Sequence, residues 1–121
     1  MSEKAPAVTG FSSLAIDCEN AELLGQFWAD LLGGTIELDA DSDAIVRAPG
    51  VPRLDFLQVP EGKALKNRLH LDLAASDVPA ATEQALSLGA TLADDVYNGG
   101  RWQVLRDPEG NEFCLLPPGI S

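Results

Sequence analysis

Four side chains capable of acid–base, nucleophilic or metal chemistry fall in two short segments of the second half of this 121-residue chain. His70, the only histidine, lies two positions before Asp72, and Glu112 lies two positions before Cys114. Side chains two apart point the same way on a β-strand. Because the stripe of leucines within Leu69–Leu73 occupies the alternate positions and must cover a helix, we expect all four side chains on the opposite face of the sheet. A face this polar should hold water or a ligand.

Each of these groups has a chemical and an ordinary interpretation. An imidazole titrates near neutrality, so His70 is the candidate catalytic acid–base residue or a donor that orients a ligand. It could equally be a half-buried histidine paired with Asp72 or Glu112. Cys114 could be a nucleophile if a base lies beside it. Otherwise it is a small buried apolar side chain.

Two tryptophans have different expected roles. Trp102 follows Gly99-Gly100-Arg101 and could stack on a planar ligand, with core or dimer packing as the alternative. Strand alternation puts Arg101 on the opposite face from Trp102. Trp28 lies on the apolar face of a predicted helix, which indicates a core position.

The elements that must position these residues occur twice. The segment Leu32-Gly33-Gly34-Thr35-Ile36 is echoed by Leu88-Gly89-Ala90-Thr91-Leu92. Leu14 matches Leu71 and Asn20 matches Asp77, an offset of 57 residues. A long period seen only twice indicates a duplication rather than a solenoid.

Each half has the pattern of a strand, a helix and three further strands. In the first half a strand runs from Phe11 to Cys18, Asn20 caps the helix and Gly33 ends it. The fold class predicted is therefore α+β, with tandem βαβββ modules. The predicted boundaries are a flexible N-terminus at 1–9 and one domain at 10–119, whose modules at 10–60 and 68–117 are joined by a linker at 60–68.

Composition excludes several partners. The net charge of −11 argues against nucleic acid and anionic membranes, since both need Lys and Arg to replace counterions. Two cysteines do not make a disulfide framework. No apolar run approaches a membrane span, and no signal peptide is visible. We therefore expect a cytoplasmic protein without nucleic-acid or membrane partners.

The doubled βαβββ order, the tail Asp107-Pro108-Glu109-Gly110-Asn111-Glu112-Phe113 and the segments Phe27-Trp28, Arg68–Leu73 and Gly99–Trp102 resemble the vicinal oxygen chelate superfamily. This superfamily includes glyoxalase I, bleomycin resistance proteins and extradiol dioxygenases. The chain is most similar to the small glyoxalase-like proteins common in actinobacteria. The resemblance implies sheets curled into cups, helices on the convex faces and a homodimer.

The resemblance also implies where a metal would be bound. Metal-dependent members carry ligands on the first and fourth strands of each module, and these positions correspond to Ser13, Leu57, His70 and Cys114. One good ligand and one unusual ligand do not make a site for a hard cation. We therefore predict no cofactor. If a divalent metal is bound, His70 and Glu112 are its candidate ligands, in a shifted site completed by Asp17 or Asp55.

The function predicted is metal-independent binding of an apolar or aromatic, possibly cationic, small molecule, as in resistance-type members. The first alternative is a metal-dependent lyase, isomerase or dioxygenase, or a metal-free enzyme that uses His70 as its base. The second is an accessory module whose cup is filled by its own side chains. The predicted ligand-binding residues are His70, Asp72, Trp102, Glu112, Cys114, Ser13 and Leu57.

Overall fold

The computed structural model describes residues 7, 11–65 and 69–119. Most of the predicted N-terminal segment and residues 66–68 of the predicted linker lie outside these residues. The described chain forms two helices and eight strands. In chain order they are β1 (Leu14–Cys18), α1 (Ala21–Leu32), β2 (Thr35–Leu38), β3 (Ala44–Arg47), β4 (Leu54–Gln58), β5 (Leu71–Ala74), α2 (Val78–Leu88), β6 (Thr91–Leu92), β7 (Gln103–Arg106) and β8 (Glu112–Leu116).

The two halves build the same sheet. The first sheet has the order β1-β4-β3-β2 and the second has the order β5-β8-β7-β6. In each sheet the first strand pairs parallel with the last, and the remaining neighbours pair antiparallel. α1 packs on β2, β3 and β4, and α2 packs on β6 and β8. This confirms the predicted α+β fold of tandem βαβββ units.

Side-chain caps start both helices where the sequence predicts. The Asn20 side chain accepts a hydrogen bond from the Leu23 amide, and Asp77 accepts one from the Ala80 amide. Gly33 ends α1 with φ of 70°, a left-handed conformation that disfavours side chains. Among the described residues, neither helix is long and apolar enough to cross a membrane.

Two predicted strand starts are wrong. Phe11 and Leu69 were expected inside strands, but β1 begins at Leu14 and β5 at Leu71. The partner strand β4 begins only at Leu54, opposite Leu14, so residues before Leu14 have no ladder to join. Phe11 is 92% exposed and Leu69 is 88% exposed, so Leu69 does not cover the helix as predicted.

One apolar core joins the two halves. Trp28 of α1 is only 2% exposed, as the sequence predicts, and its ring lies 4.9 Å from that of Phe113 in β8. Phe27 contacts the same ring at 6.1 Å. The helix of the first half therefore packs against the sheet of the second half, with the edge-to-face ring geometry that aromatic pairs prefer.

The turn before β8 fastens this contact with hydrogen bonds. The Trp28 indole Nε1 donates to Asp107 Oδ2 at 3.0 Å, and Asp107 also accepts from the Glu109 and Asn111 amides. The Glu109 carboxylate accepts from the amides of Glu19 and Asn20, at 2.7 and 2.6 Å. Charge-assisted bonds of this kind are stronger than neutral ones. They hold the start of β8 against the start of α1.

Replacing Trp28 with Phe tests this connection. The variant keeps a core ring but loses the indole donor, and the free energy of unfolding should fall by about 2 kcal/mol because the acceptor is a buried carboxylate. Urea unfolding measures the change, and Trp102→Phe is the control for loss of an indole elsewhere.

The same variant should change the pH dependence of stability. Burial raises the pKa of Asp107, although its hydrogen bonds oppose the shift. Ionisation therefore opposes folding, and stability falls as the pH rises from the ordinary Asp pKa through the raised one. Without the indole N–H the raised pKa should move higher, so the fall should extend to higher pH. Identical pH profiles for Trp28→Phe and wild type would contradict this assignment.

Candidate functional site

The candidate site lies on the face of the second sheet that the helices do not cover, which we call the concave face. Phe113 and Leu115 of β8 point into the main core, whereas Cys114 between them belongs to a separate small cluster on the other face. Asp72 of β5 and Val104 of β7 are the ladder partners of Cys114. The alternation predicted from the sequence therefore places these side chains on the concave face.

Three of the predicted site residues come together there. His70 Nδ1 lies 2.8 Å from Asp72 Oδ1, and both side chains are nearly half exposed. A ring nitrogen of His70, a carboxylate oxygen of Asp72 and the sulfur of Cys114 all lie within 4.8 Å of one another. Cys114 is 9% exposed, so a largely buried thiol meets an open imidazole and carboxylate.

An apolar wall adjoins this cluster. The rings of Tyr97 and Trp102 stack in parallel, with centroids 4.2 Å apart and planes inclined by 6°. The Arg101 guanidinium lies 5.9 Å from the centre of the Trp102 ring. The small cluster on this face consists of Ala93, Val104, Cys114, Tyr97, Trp102 and Leu116.

The position of Arg101 is a correction. Alternation predicted it on the face opposite Trp102, but β7 begins only at Gln103, so the alternation rule does not apply to either residue. Trp102 therefore has an aromatic ring and a cation as neighbours.

Tyr97, which was not among the predicted site residues, is held by the turn that follows it. A side chain at Gly99 would collide with the Tyr97 ring. Gly100 has φ of 81°, which favours glycine. The Arg101 amide donates to the Tyr97 hydroxyl at 3.4 Å. The signal in the sequence was the only tyrosine, placed just before a Gly-Gly turn that leads back to Trp102.

Glu112 occupies a charged cluster beside the site. Its side chain is 6% exposed, and Oε2 lies 3.5 Å from Arg106 Nε and 4.0 Å from Lys63 Nζ. Arg106 also makes a two-pronged ion pair with Asp95, at 2.7 and 2.9 Å. Hydrogen bonds from Arg106 lower the pKa of Asp95. Among the described residues, the donor atoms that could share one ion belong to His70, Asp72 and Cys114. The geometry therefore does not favour Glu112, a predicted candidate, as a metal ligand.

Ser13 and Leu57 belong to the first half and have structural contacts. The Ser13 hydroxyl donates to Asp55 Oδ2 at 3.0 Å, and Arg53 donates to the same oxygen. Leu57 is half-buried on β4, and its carbonyl accepts a bond from Cys18 Sγ. Neither residue joins the donor cluster formed by the second half.

The residues present do not fit a hard divalent cation at the superfamily positions. Leu57 has no donor atom, and the Ser13 hydroxyl is committed to Asp55. Hard cations take oxygen ligands, whereas His70, Asp72 and Cys114 offer a nitrogen, an oxygen and a sulfur. That mixed set suits a softer ion such as Zn²⁺.

A cleft of about 230 Å³ separates the first strands of the two halves. Its walls include Leu14, Ala15 and Ile16 of β1 and the segment 69–71 that leads into β5. Glu112 also lines the cleft, so His70 and Glu112 share a wall even though only His70 joins the donor cluster.

The second thiol of the chain is a useful contrast. Cys18 on β1 is buried, and desolvation together with nearby carboxylates raises its pKa to about 12. At neutral pH it is a thiol with no nucleophilic character. Neither Cys18 nor Cys114 forms a disulfide.

These features define a doubled βαβββ protein in which one of two similar sheets carries the cluster of His70, Asp72 and Cys114. The chain belongs to the glyoxalase-like domain family, whose pattern matches residues 13–116. The fold is that of the glyoxalase, bleomycin resistance and dioxygenase superfamily, as the sequence resemblance implied. Among curated proteins, none matches the sequence significantly.

Solved structures with this fold include proteins of drug resistance. The fosfomycin resistance protein FosX from Listeria monocytogenes has a TM-score of 0.73 at 14% identity, over 93% of this chain and 94% of that chain. TnmS3, an antibiotic-binding protein from a Streptomyces species, has a TM-score of 0.65 at 19% identity, over 95% and 100%. A glyoxalase/bleomycin resistance/dioxygenase family enzyme from Burkholderia phytofirmans has 0.68 at 18%, over 86% and 94%.

Proposed function

We propose that this protein binds apolar or aromatic small molecules on the concave face of its second sheet, without needing a metal. The observation that carries the proposal is the stacked Tyr97–Trp102 wall beside the open His70–Asp72 pair. Small-molecule sites combine an apolar, aromatic lining with a few polar groups that fix orientation. Both components are present on this face, whereas Phe56, the aromatic residue in the described strands of the first sheet, is buried in the main core.

The chemistry of the face suggests how a ligand would be held. A planar ligand would stack on Tyr97 or along the edge of Trp102, while His70 would hydrogen-bond a carbonyl or hydroxyl. The net charge of −11 would attract a cationic ligand and repel an anionic one. The antibiotic-binding relative TnmS3 supports this kind of function by fold alone.

Removing the indole of Trp102 should weaken binding. Trp102→Ala should reduce affinity roughly fivefold, about 1 kcal/mol, because one aromatic contact is lost, whereas Trp102→Phe should retain most of it. Isothermal titration against a panel of aromatic and dicarbonyl compounds measures the affinities, and Leu38→Ala, at a half-exposed apolar side chain of the first sheet, is the control. If Trp102→Ala and His70→Ala leave every measured affinity unchanged, the ligand binds elsewhere.

The rival function is that of a metal-dependent lyase, isomerase or dioxygenase. One observation favours it, since the donor atoms of His70, Asp72 and Cys114 are close enough to share one cation. A variant of the Listeria FosX protein is known with bound Mn(II), although the donors here do not match a hard cation.

Elemental analysis of the protein purified without chelator separates the two functions. We expect no metal at stoichiometric level in wild type or in His70→Ala. One equivalent of zinc, nickel, iron or manganese in wild type that is absent from His70→Ala would favour the rival.

We also propose that the protein is a cytoplasmic homodimer. Reduced thiols at Cys18 and Cys114 suit a reducing compartment. Large apolar side chains exposed around the segments that lead into β1 and β5 would be covered by a second copy, as symmetric dimers usually arrange. They are Phe11, Leu65 and Leu69.

Sedimentation equilibrium tests the dimer. Wild type should sediment at twice the mass of the chain, and Leu69→Asp should shift the equilibrium toward monomer, because it places a charge in the proposed interface. Glu83→Asp, on the exposed surface of α2, is the control. A wild-type mass of one chain at all concentrations would contradict the proposal.

A further inference from the structure

We propose that Cys114 forms a covalent bond with planar α,β-unsaturated carbonyl compounds bound on the concave face, with His70 carrying the thiol proton. This inference rests on the proposed binding function and names the reactive class of ligand at the same face. It gives the His70–Asp72–Cys114 cluster a chemical use that needs no metal.

The three side chains have the order of a nucleophile, a base and an orienting group. Asp72 accepts the Nδ1–H of His70 at 2.8 Å, which leaves the lone pair on Nε2. The imidazole, carboxylate and thiol donor atoms lie within 4.8 Å of one another. Contacts of this kind are often loose before a ligand binds and shorten in the complex. The proposed proton transfer therefore requires His70 Nε2 to move closer to the thiol when a ligand binds, starting from a cluster whose donor atoms lie within 4.8 Å.

The surroundings favour addition over acyl transfer. Acyl transfer needs hydrogen-bond donors for a developing oxyanion. Cys114 lies in the central strand β8, paired with Asp72 on one side and Val104 on the other, so its neighbouring backbone amides serve the ladders. The nearby Arg106 guanidinium is engaged by Asp95 and Glu112. Conjugate addition shares its developing charge between the carbonyl oxygen and the α-carbon, and a protonated His70 removes that charge by returning the proton.

The step balances without another reactant. His70 Nε2 takes the proton of the Cys114 thiol, and the sulfur forms a bond to the β-carbon of the ligand. The π electron pair of the C=C bond moves onto the α-carbon and carbonyl oxygen as an enolate. The imidazolium then returns the proton to the α-carbon, so the net change is addition of S–H across the double bond.

The ligand class follows from the wall beside the sulfur. Val104 and Ala93 contact Cys114, and the Tyr97–Trp102 stack extends the same cluster. A conjugated carbonyl compound with an aryl group is flat, apolar and soft, so it can stack on the wall while its β-carbon meets a soft sulfur. Small hydrophilic electrophiles would gain nothing from that wall.

The test uses benzylideneacetone, an aryl enone, and benzylacetone, its saturated counterpart that cannot react. Intact-protein mass spectrometry should find one enone adduct on wild type, and peptide mapping should place it on Cys114 and not on Cys18. Cys18→Ala should react like wild type, and Cys114→Ala should not react. His70→Ala should slow labelling by about a hundredfold, the usual contribution of a general base.

Asp72 acts through His70 as a positioning residue. Asp72→Asn should slow labelling because its amide can also donate and so hold the wrong imidazole tautomer, and Asp72→Glu should restore much of the rate because it keeps a charged carboxylate that only accepts the Nδ1–H. A purely structural role would leave Asp72→Glu as slow as Asp72→Asn when both are equally folded by circular dichroism.

Several results would overturn the inference. Equal labelling of Cys18 and Cys114, or an unchanged rate in His70→Ala, would remove the role of the cluster. Labelling that occurs only after a chelator is added would mean that the three side chains hold a metal instead. If benzylacetone binds by titration calorimetry but benzylideneacetone forms no adduct, this inference fails and the proposed binding function stands. If neither compound binds or reacts, both fail.

Discussion

The attachment of the turn at Asp107–Asn111 to α1 is the constraint on which the rest of the structure depends. The helix of each half covers only part of the apolar face of its own sheet. The Trp28 ring of the first half therefore packs against Phe113 of the second half. That contact would bury the indole N–H without a partner if Asp107 did not accept it. Since the same turn leads directly into β8, the bond that closes the core also fixes the start of the strand that carries Glu112 and Cys114.

The duplication repeats the backbone but not the chemistry. Asn20 and Asp77 cap the two helices in the same way, because any chain in this fold must satisfy the first helical amides. No such demand falls on the concave faces. There Ser13 takes the place of His70, Ala15 that of Asp72 and Leu57 that of Cys114. The first half thus supplies most of the buried residues of the main core, and the cluster of His70, Asp72 and Cys114 belongs to the second half.

The fold, and the face of the second sheet on which Asp72 and Cys114 lie, could be predicted from the sequence because both follow from short-range rules. Period-2 alternation places Asp72 of β5 on the same face as Cys114, its ladder partner in β8, and His70, one residue before β5, joins them through its contact with Asp72. What escaped prediction depended on where ladders end and on contacts across the turn. Leu69 fell outside its strand because β8 offered no partner there, and Arg101 lies beside Trp102 because β7 starts later. Tyr97 reaches Trp102 only through a Gly-Gly turn, which no periodic pattern encodes.

The presence of the Cys114 sulfur among the donor atoms affects which kind of ligand the concave face would favour. A carboxylate and an imidazole alone would favour harder cations or act as a plain acid–base pair. With Cys114 between them and the Tyr97–Trp102 wall, whatever gains from the cluster must be soft, whether it is a borderline metal ion or an unsaturated carbon. Softness and flatness together describe an apolar conjugated molecule better than a hydrated ion, because a hydrated ion gains nothing from stacked rings. The aromatic wall is therefore the part of the face that weighs against a metal and in favour of an organic ligand.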